Sequence, residues 1–276
     1  MADYSPLRYP GGKAKMYGYI KELIAINDLR NSVYVEPFAG GAGLALNLLF
    51  KGDVNRLIVN DYDRSIYAFW HSVLYSTEEL VELIKKTPVT INQWNKMKNI
   101  QDNKKNIELL ELGFSTFFLN RTNRSGIIKA GVIGGLNQEG FYKIDCRFNK
   151  ENLIERIQMI SEYKDKISLY NLDAVDFIKD YLVDLPEKSF TFFDPPYYRK
   201  AKGLYTNFYV HNDHVILKDT IREFMSTPYI VTYDNSDEII DIYSDMVVNK
   251  YDISYTASVK RTEQEIMISN LLTLFT

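Results

Sequence analysis

Ser32 to Phe38 (SVYVEPF) is a β-branched and aromatic run that breaks at AGGAG, after which Gly43 to Phe50 (GLALNLLF) continues as an apolar helical run. The pattern predicts strand, glycine turn, helix. Arg56 to Asn60 (RLIVN) reads as a second buried strand ending at Asp61, and Ile66, Phe69, Trp70, Val73 and Leu74 then recur with the spacing of a helix packed on a sheet. This β-α-β-α order predicts a parallel sheet with crossover helices. The alternation stops at Ser76 to Glu79 (STEE), whose capping-box spacing predicts a short helix ending near Pro88. Most of 90–163 reads as helix or loop, and Gly126 to Gly135 (GIIKAGVIGG) fits either a hairpin or a flexible loop. From Ile167 the rhythm returns with ISLYN as a strand, DAVDFIKDYL as a helix, SFTFF as a strand, a helix from about Asp213 to Met225, and YIVTY as a strand. MVVNKYDISYTAS and EQEIMISNLL alternate as a closing antiparallel pair. The whole is an α/β sheet domain interrupted by a mostly helical insert.

Composition narrows the class without naming it. The chain has 276 residues, 25% charged and 46% hydrophobic, the balance of an ordinary globular protein. No apolar run approaches the ~18 residues of a membrane span, and MADYSPLRYP has no apolar signal core, so a cytoplasmic protein is expected. Cys146 is the lone cysteine, and with His71, His211 and His214 it forms no cluster of zinc-ligand spacing, so no metal centre is expected. A net charge of −3 weighs against a nucleic-acid binder. The average hides a segregation: between residues 85 and 130, seven Lys and two Arg face only Asp102, Glu108 and Glu111. The positive charge is concentrated in the insert. The sequence gives no sign of oligomeric state.

The strongest chemical signal is FFDPPYY, Phe192 to Tyr198. A buried strand delivers Asp194 to its carboxyl end, where open α/β sheets place ligands. Pro195 and Pro196 stiffen the turn and lack N–H groups, and Tyr197 and Tyr198 add aromatic faces. That set suits a planar ligand bearing an amino group, with Asp194 and the Pro195 carbonyl accepting its two N–H bonds. The second signal is EPFAGGAG, Glu36 to Gly43, a glycine turn after the first strand that lets backbone approach a ligand at a helix N-terminus. Asp61, at the tip of the second strand, has the spacing of a carboxylate gripping a ribose diol, which points to an adenosine-type cofactor. The G-x-G-x-x-G and P-loop patterns are not met. Around a Pro-Gly-Gly turn, SPLRYPGGK sets Tyr9 to pack on the cofactor and Lys13 to orient a carboxylate. In the basic insert, RTNRSG offers Arg121, Asn123 and Arg124, residue types that contact phosphate, guanine and adenine.

Taken in order, P-x-x-Y-x-G-G-K at Pro6 to Lys13, E-P-F-x-G-G-x-G at Glu36 to Gly43, Asn60-Asp61, R-x-N-x-x-G at Arg121 to Gly126 and DPPY at Asp194 to Tyr197 resemble the α-class of DNA amino-methyltransferases, the Dam-type adenine N6 methyltransferases. The resemblance covers nearly the whole chain. It implies a Rossmann-like S-adenosylmethionine-dependent methyltransferase sheet, residues 1–75 and 164–276, with an inserted helical target-recognition domain, residues 76–163. It implies S-adenosylmethionine bound by Tyr9, Lys13, Glu36, Pro37, Phe38, Gly40, Gly41, Gly43 and Asp61. The family often carries Asp-Phe after the strand preceding DPPY; here Asp173 is followed by Ala174, and Asp-Phe falls at Asp176-Phe177. Asp173, directly after ISLYNL, is the favoured cofactor ligand.

The resemblance further implies catalysis by Asp194, Pro195, Pro196 and Tyr197 on an adenine flipped from double-stranded DNA and stacked on Tyr197, with Arg121, Asn123 and Arg124 on the DNA. A carboxylate of ordinary pKa, ~3.9, is too weak to deprotonate a neutral amine, so Asp194 is expected to stabilise the developing positive charge and to accept the proton afterwards. Cys146 is given no role. Cytosine N4 or RNA adenine methylation, and a catalytically idle DNA-binding module, are the competing readings.

Overall fold

The computed structural model describes residues 4–9, 11–199, 209–255 and 261–272. Seven strands form one sheet in the order β3-β2-β1-β4-β5-β7-β6, comprising β1 Ser32–Glu36, β2 Val54–Asn60, β3 Ile167–Tyr170, β4 Ser189–Phe193, β5 Tyr229–Asp234, β6 Val248–Tyr255 and β7 Arg261–Ser269. Strand β1 runs parallel to β2 and β4, and β4 parallel to β5, while β7 pairs antiparallel with both β5 and β6. Every residue of β4 and β5 is buried, because a central parallel strand is covered on both faces; this is why SFTFF and YIVTY read as unbroken apolar runs. The expected closing pair is β6 with β7, and residues 256–258 of its first strand lie outside the described residues.

Contacts divide the chain into two compact units, Lys13–Tyr62 with Tyr170–Thr276, and Ala2–Gly12 with Asp63–Leu169. The first unit carries the helices α1 Tyr17–Ile26, α2 Gly43–Phe50, α8 Ala174–Phe177, α9 His211–Phe224 and α10 Asp237–Ile242. Its core joins Val35, Phe193, Val231 and Tyr233 of the sheet to helix residues such as Phe177, Leu217, Ile221 and Ile239. Each such side chain contributes about 1.5–3 kcal/mol by burial. DAVDFIKDYL is not one regular helix. Asp173 caps α8 by accepting from Val175 N at 2.9 Å, and the chain then widens into a π-helical turn, Ile178–Leu182, that buries Ile178 and Leu182. His214 is buried on α9 with Nδ1 3.0 Å from the Tyr233 hydroxyl, and burial pushes its pKa down to about 4, so it is neutral at physiological pH.

The second unit is helical, with α3 Arg64–Tyr75, α4 Thr77–Lys86, α5 Ile91–Asp102, α6 Leu109–Thr122 and α7 Lys150–Ser161. Phe69 of α3 and Phe117 of α6 stack at 5.9 Å, and Phe148 meets Phe117 edge-on at 5.3 Å. A Cβ on Gly113 would lie 2.4 Å from the Ala68 carbonyl oxygen, so this glycine sets how closely α6 crosses α3. Ser76 does not cap α4 with its side chain; its N–H closes α3 on the Ser72 carbonyl, and one helix follows the other without a loop. Part of the basic stretch is structural: Lys104 pairs with Asp63 at 2.7 Å, and Asp63 in turn caps α3. Residues 126–135 form successive turns fastened by one antiparallel bridge, Asn123 to Val132, rather than a ladder of strands. Among the described residues no helix is long and apolar enough to cross a membrane.

Candidate active site

The strand order reverses between β1 and β4, the topological switch point outside whose carboxyl ends an open α/β sheet binds its ligand. Both leading motifs leave the sheet there, EPF from β1 and DPPY from β4. Asp194 is held from two sides. Lys13 Nζ reaches both its oxygens, at 2.7 and 2.8 Å, and the Thr232 hydroxyl on neighbouring β5 donates to Oδ1 at 2.9 Å. The Lys13 side chain is 4% exposed and that of Asp194 20%. Burial raises the Asp194 pKa, while Lys13 and Thr232 pull it back toward the ionised form.

The same ammonium donates to the Tyr197 hydroxyl at 2.8 Å, and that hydroxyl donates to Glu265 Oε1 at 2.6 Å. Tyr251 donates to the other oxygen of Glu265, also at 2.6 Å. Tyr197 is only 5% exposed, so the ring expected to carry a flipped base is covered here and its hydroxyl belongs to a buried polar chain. The turn after DPPY is pinned by Asp234, which accepts from the Tyr198 and Arg199 backbone N–H groups at 2.9 and 3.0 Å.

Thr232, Asp234 and Glu265 were missing from the sequence reading. Asp234 had a signal, because YIVTYD ends in an acid at a strand tip just as FFD does. Glu265 had none, since an acid on an alternating strand reads as a wet position until the register with β5 places it opposite Asp234.

The glycine turn bends through positive φ at Gly40 and Ala42, both 47°, and delivers the N-terminus of α2. Gly40 N donates to Asp61 Oδ2 at 2.8 Å, so the turn and the acid at the tip of β2 are side by side. Asn60 binds the Pro37 carbonyl and the Leu172 backbone, and Asn171 binds the Asp61 carbonyl, which gathers the ends of β1 and β2 and the segment after β3. Asp61 and Asp173 present carboxylate acceptors of the kind that fit the hydroxyl and amino donors of an adenosine-type group. Phe38 adds an apolar edge packed on Tyr209 at 6.0 Å. Of the loop 204–213, residues 204–208 lie outside the described residues. Glu36 is buried, accepts from the Tyr34 hydroxyl at 3.0 Å, and is pushed by burial to a pKa of about 8, so it is chiefly protonated near neutral pH.

In the second unit the R-x-N-x-x-G residues separate by function. Asn123 is fully buried; its amide donates to the Ile127 and Ile128 carbonyls and accepts from Trp94 Nε1 at 2.6 Å. These bonds engage the Asn123 amide in holding the loop. Asn120 does a related job, binding the Arg8 backbone and the Gly126 carbonyl. Gly126 has φ 77°, and a Cβ there would sit 2.2 Å from the Arg8 carbonyl oxygen, so the motif glycine is obligatory. Arg124 is exposed, and Arg121 is half-buried with Nε donating to the Pro6 carbonyl at 2.7 Å. Tyr9 falls in this unit, its carbonyl accepting from Gly12.

A doubly wound sheet with its polar residues gathered at the switch point defines an α/β enzyme of the nucleotide-cofactor class. The model of the D12 class N6 adenine-specific DNA methyltransferases matches residues 9–259, and the chain belongs to that family. It is similar to the Type II methyltransferase M.MjaIII of Methanocaldococcus jannaschii, 24% identical over 204 residues, 69% of this chain and 68% of that one. Among solved structures it is similar to the rRNA methyltransferase aviRa from Streptomyces viridochromogenes, 11% identical with a TM-score of 0.44 over 95% of this chain and 86% of that one. It is also similar to M. capricolum TrmK in complex with S-adenosylhomocysteine, 6% identical with a TM-score of 0.38 over 92% and 70%. The reaction is methylation of adenine in DNA with S-adenosylmethionine as donor.

Proposed function

We propose that the chain methylates the N6 amino group of an adenine turned out of duplex DNA at a specific sequence. Asp194 and the Pro195 carbonyl accept its two N–H bonds, and the second unit serves as the DNA-contacting domain. The observation that carries this reading is the placement of Asp194 at the end of β4, anchored by Lys13 and Thr232 while remaining 20% exposed. S-adenosylmethionine supplies an electrophilic methyl group, and Asp61, Asp173, Phe38 and the glycine turn are the residues that would hold it.

The exocyclic nitrogen of adenine is conjugated with its ring and is a weak nucleophile. Two acceptors on its hydrogens draw it toward tetrahedral geometry and free the lone pair. Lys13 keeps Asp194 ionised against the penalty of burial, so the carboxylate faces the positive charge that grows on nitrogen and takes the released proton afterwards. Tyr197 and Glu265 fix the ammonium of Lys13 from behind. A cytoplasmic location follows from a DNA substrate within the cell.

Incubation of the protein with labelled donor and unmethylated genomic DNA, followed by nucleoside analysis and single-molecule sequencing, tests the reading. N6-methyladenine in one sequence context is expected, and Asp194→Ala should abolish it while sparing donor affinity. Turnover retained in that variant would sink the mechanism.

A further inference from the structure

Beside the N-terminus of α7 the second unit contains a cavity of about 260 Å³, lined by Arg121, Arg147 and Arg156, by Asn149 and Asn152, and by Cys146. Among the described residues no Asp or Glu lines it. Two of the guanidinium groups are aimed by neutral backbone carbonyls, Arg121 Nε by Pro6 at 2.7 Å and Arg156 Nη1 by Ser5 at 3.0 Å, contacts that fix their direction. Arg147 is exposed at the rim. Asn149 caps α7, its Oδ1 accepting from Asn152 N at 3.1 Å, so the positive end of a twelve-residue helix also borders the cavity. Arg8 lies close by; burial and the field of Arg147 both depress its guanidinium pKa, a sign of crowded positive charge.

Three forked cations, two side-chain amides and a helix N-terminus border one space, and none of its described lining residues is a carboxylate. Guanidinium groups match the oxygens of a phosphate bidentately, and a helix start adds backbone N–H groups of the same polarity. We propose that this cavity seats a backbone phosphate of the DNA substrate and so fixes the register of the second unit on the duplex without reading sequence. The proposal rests on the second unit being the DNA-contacting one. It gives Arg121 a phosphate rather than a base as partner, and adds Arg147, Arg156 and Asn152, which stand outside the R-x-N-x-x-G motif.

The test uses the full chain and a fluorescent duplex carrying the methylated sequence. Wild-type affinity is expected to fall steeply with salt, and Arg147→Gln should make the slope of log K against log salt shallower by about one while leaving the preference for the site over an unrelated duplex unchanged. Arg147→Lys should restore part of the slope. Cys146 is the chain's single cysteine and is exposed in the cavity, so it reports occupancy directly. Its alkylation by iodoacetamide should slow several-fold with the duplex present and not with inorganic phosphate at equal ionic strength. An unchanged slope in Arg147→Gln, alkylation indifferent to DNA, or equal protection by inorganic phosphate each overturns the proposal. Methylation of DNA adenine by the same wild-type preparation separates this failure from failure of the functional reading itself.

Discussion

Replacing Lys13 by Met removes the cation that binds Asp194 while keeping most of the side-chain volume. A neighbouring cation lowers a carboxylate pKa by about 1–3 units, and at 2.7 Å with both partners largely out of solvent the full range applies. The sign follows from the role of the group. Asp194 works ionised, so activity is lost as pH falls through its pKa, and raising that pKa moves the loss upward. The acid limb of kcat for Lys13→Met should therefore lie about 1–3 pH units above that of wild type, with activity depressed at neutral pH and partly recovered in alkali. The fold should also weaken by up to about 3–5 kcal/mol, the cost of leaving a buried charge without its partner, offset to the extent that Asp194 protonates. Single-turnover methylation across pH, with donor affinity measured in parallel by calorimetry, checks both. If the acid limb stays in place while donor affinity collapses, Lys13 serves the cofactor and not Asp194, and the reasoning is refuted.

Glu36 binds a proton on folding, because its pKa rises from 4.5 to about 8 on burial. Stability should then decline by about 1.4 kcal/mol per pH unit as pH rises through that window, and Glu36→Gln should remove this slope. Urea unfolding of both proteins at several pH values between the two pKa values decides it; parallel pH dependence in the pair would show that Glu36 is ionised in the fold. Gly113→Ala tests the crossing of α3 and α6. Helix propensity alone would stabilise by about 1 kcal/mol, whereas a Cβ 2.4 Å from the Ala68 carbonyl should cost about 1–3 kcal/mol, so a lowered Tm is expected and a raised one would contradict the close approach.

The strands and the leading motif positions were legible because each rests on local rules. The four strands paired in parallel, β1, β2, β4 and β5, each fall on an apolar-rich run, and glycines mark the turn after β1. What escaped was whatever depended on partners distant in sequence. The link from Lys13 to Asp194 spans 181 residues and that from Tyr197 to Glu265 spans 68, and no spacing rule reaches so far. The bounds of α4, Thr77–Lys86, match the sequence, whereas the chemistry at helix ends differs for another reason. Ser76 has the composition of a helix cap, yet its N–H already closes the preceding helix, and Asp173 opens a helix that changes pitch after one turn to bury Ile178 and Leu182.

The R-x-N-x-x-G stretch shows how residue type alone leaves the setting of each member open. α6 ends at Thr122, and Asn123 continues in extended backbone before a short 3-10 turn from Arg124 to Gly126, so burial and not helical spacing sorts these residues. Asn120 and Asn123 are buried and fasten the backbone of Arg8, Gly126, Ile127 and Ile128, using donors and acceptors that an interior must satisfy. The guanidinium groups lie nearer the surface, with Arg124 exposed and Arg121 half-buried beside the cavity at α7. Three residues read together as contacts to DNA therefore divide into a buried amide that fastens the loop and two guanidinium groups nearer the surface. Loss of an amide would disorganise the loop and so reach DNA binding only through the fold, whereas loss of the exposed Arg124 guanidinium removes charge with less effect on packing. That asymmetry is why the arginines, and not the asparagines, are the informative positions for separating binding from folding in the second unit.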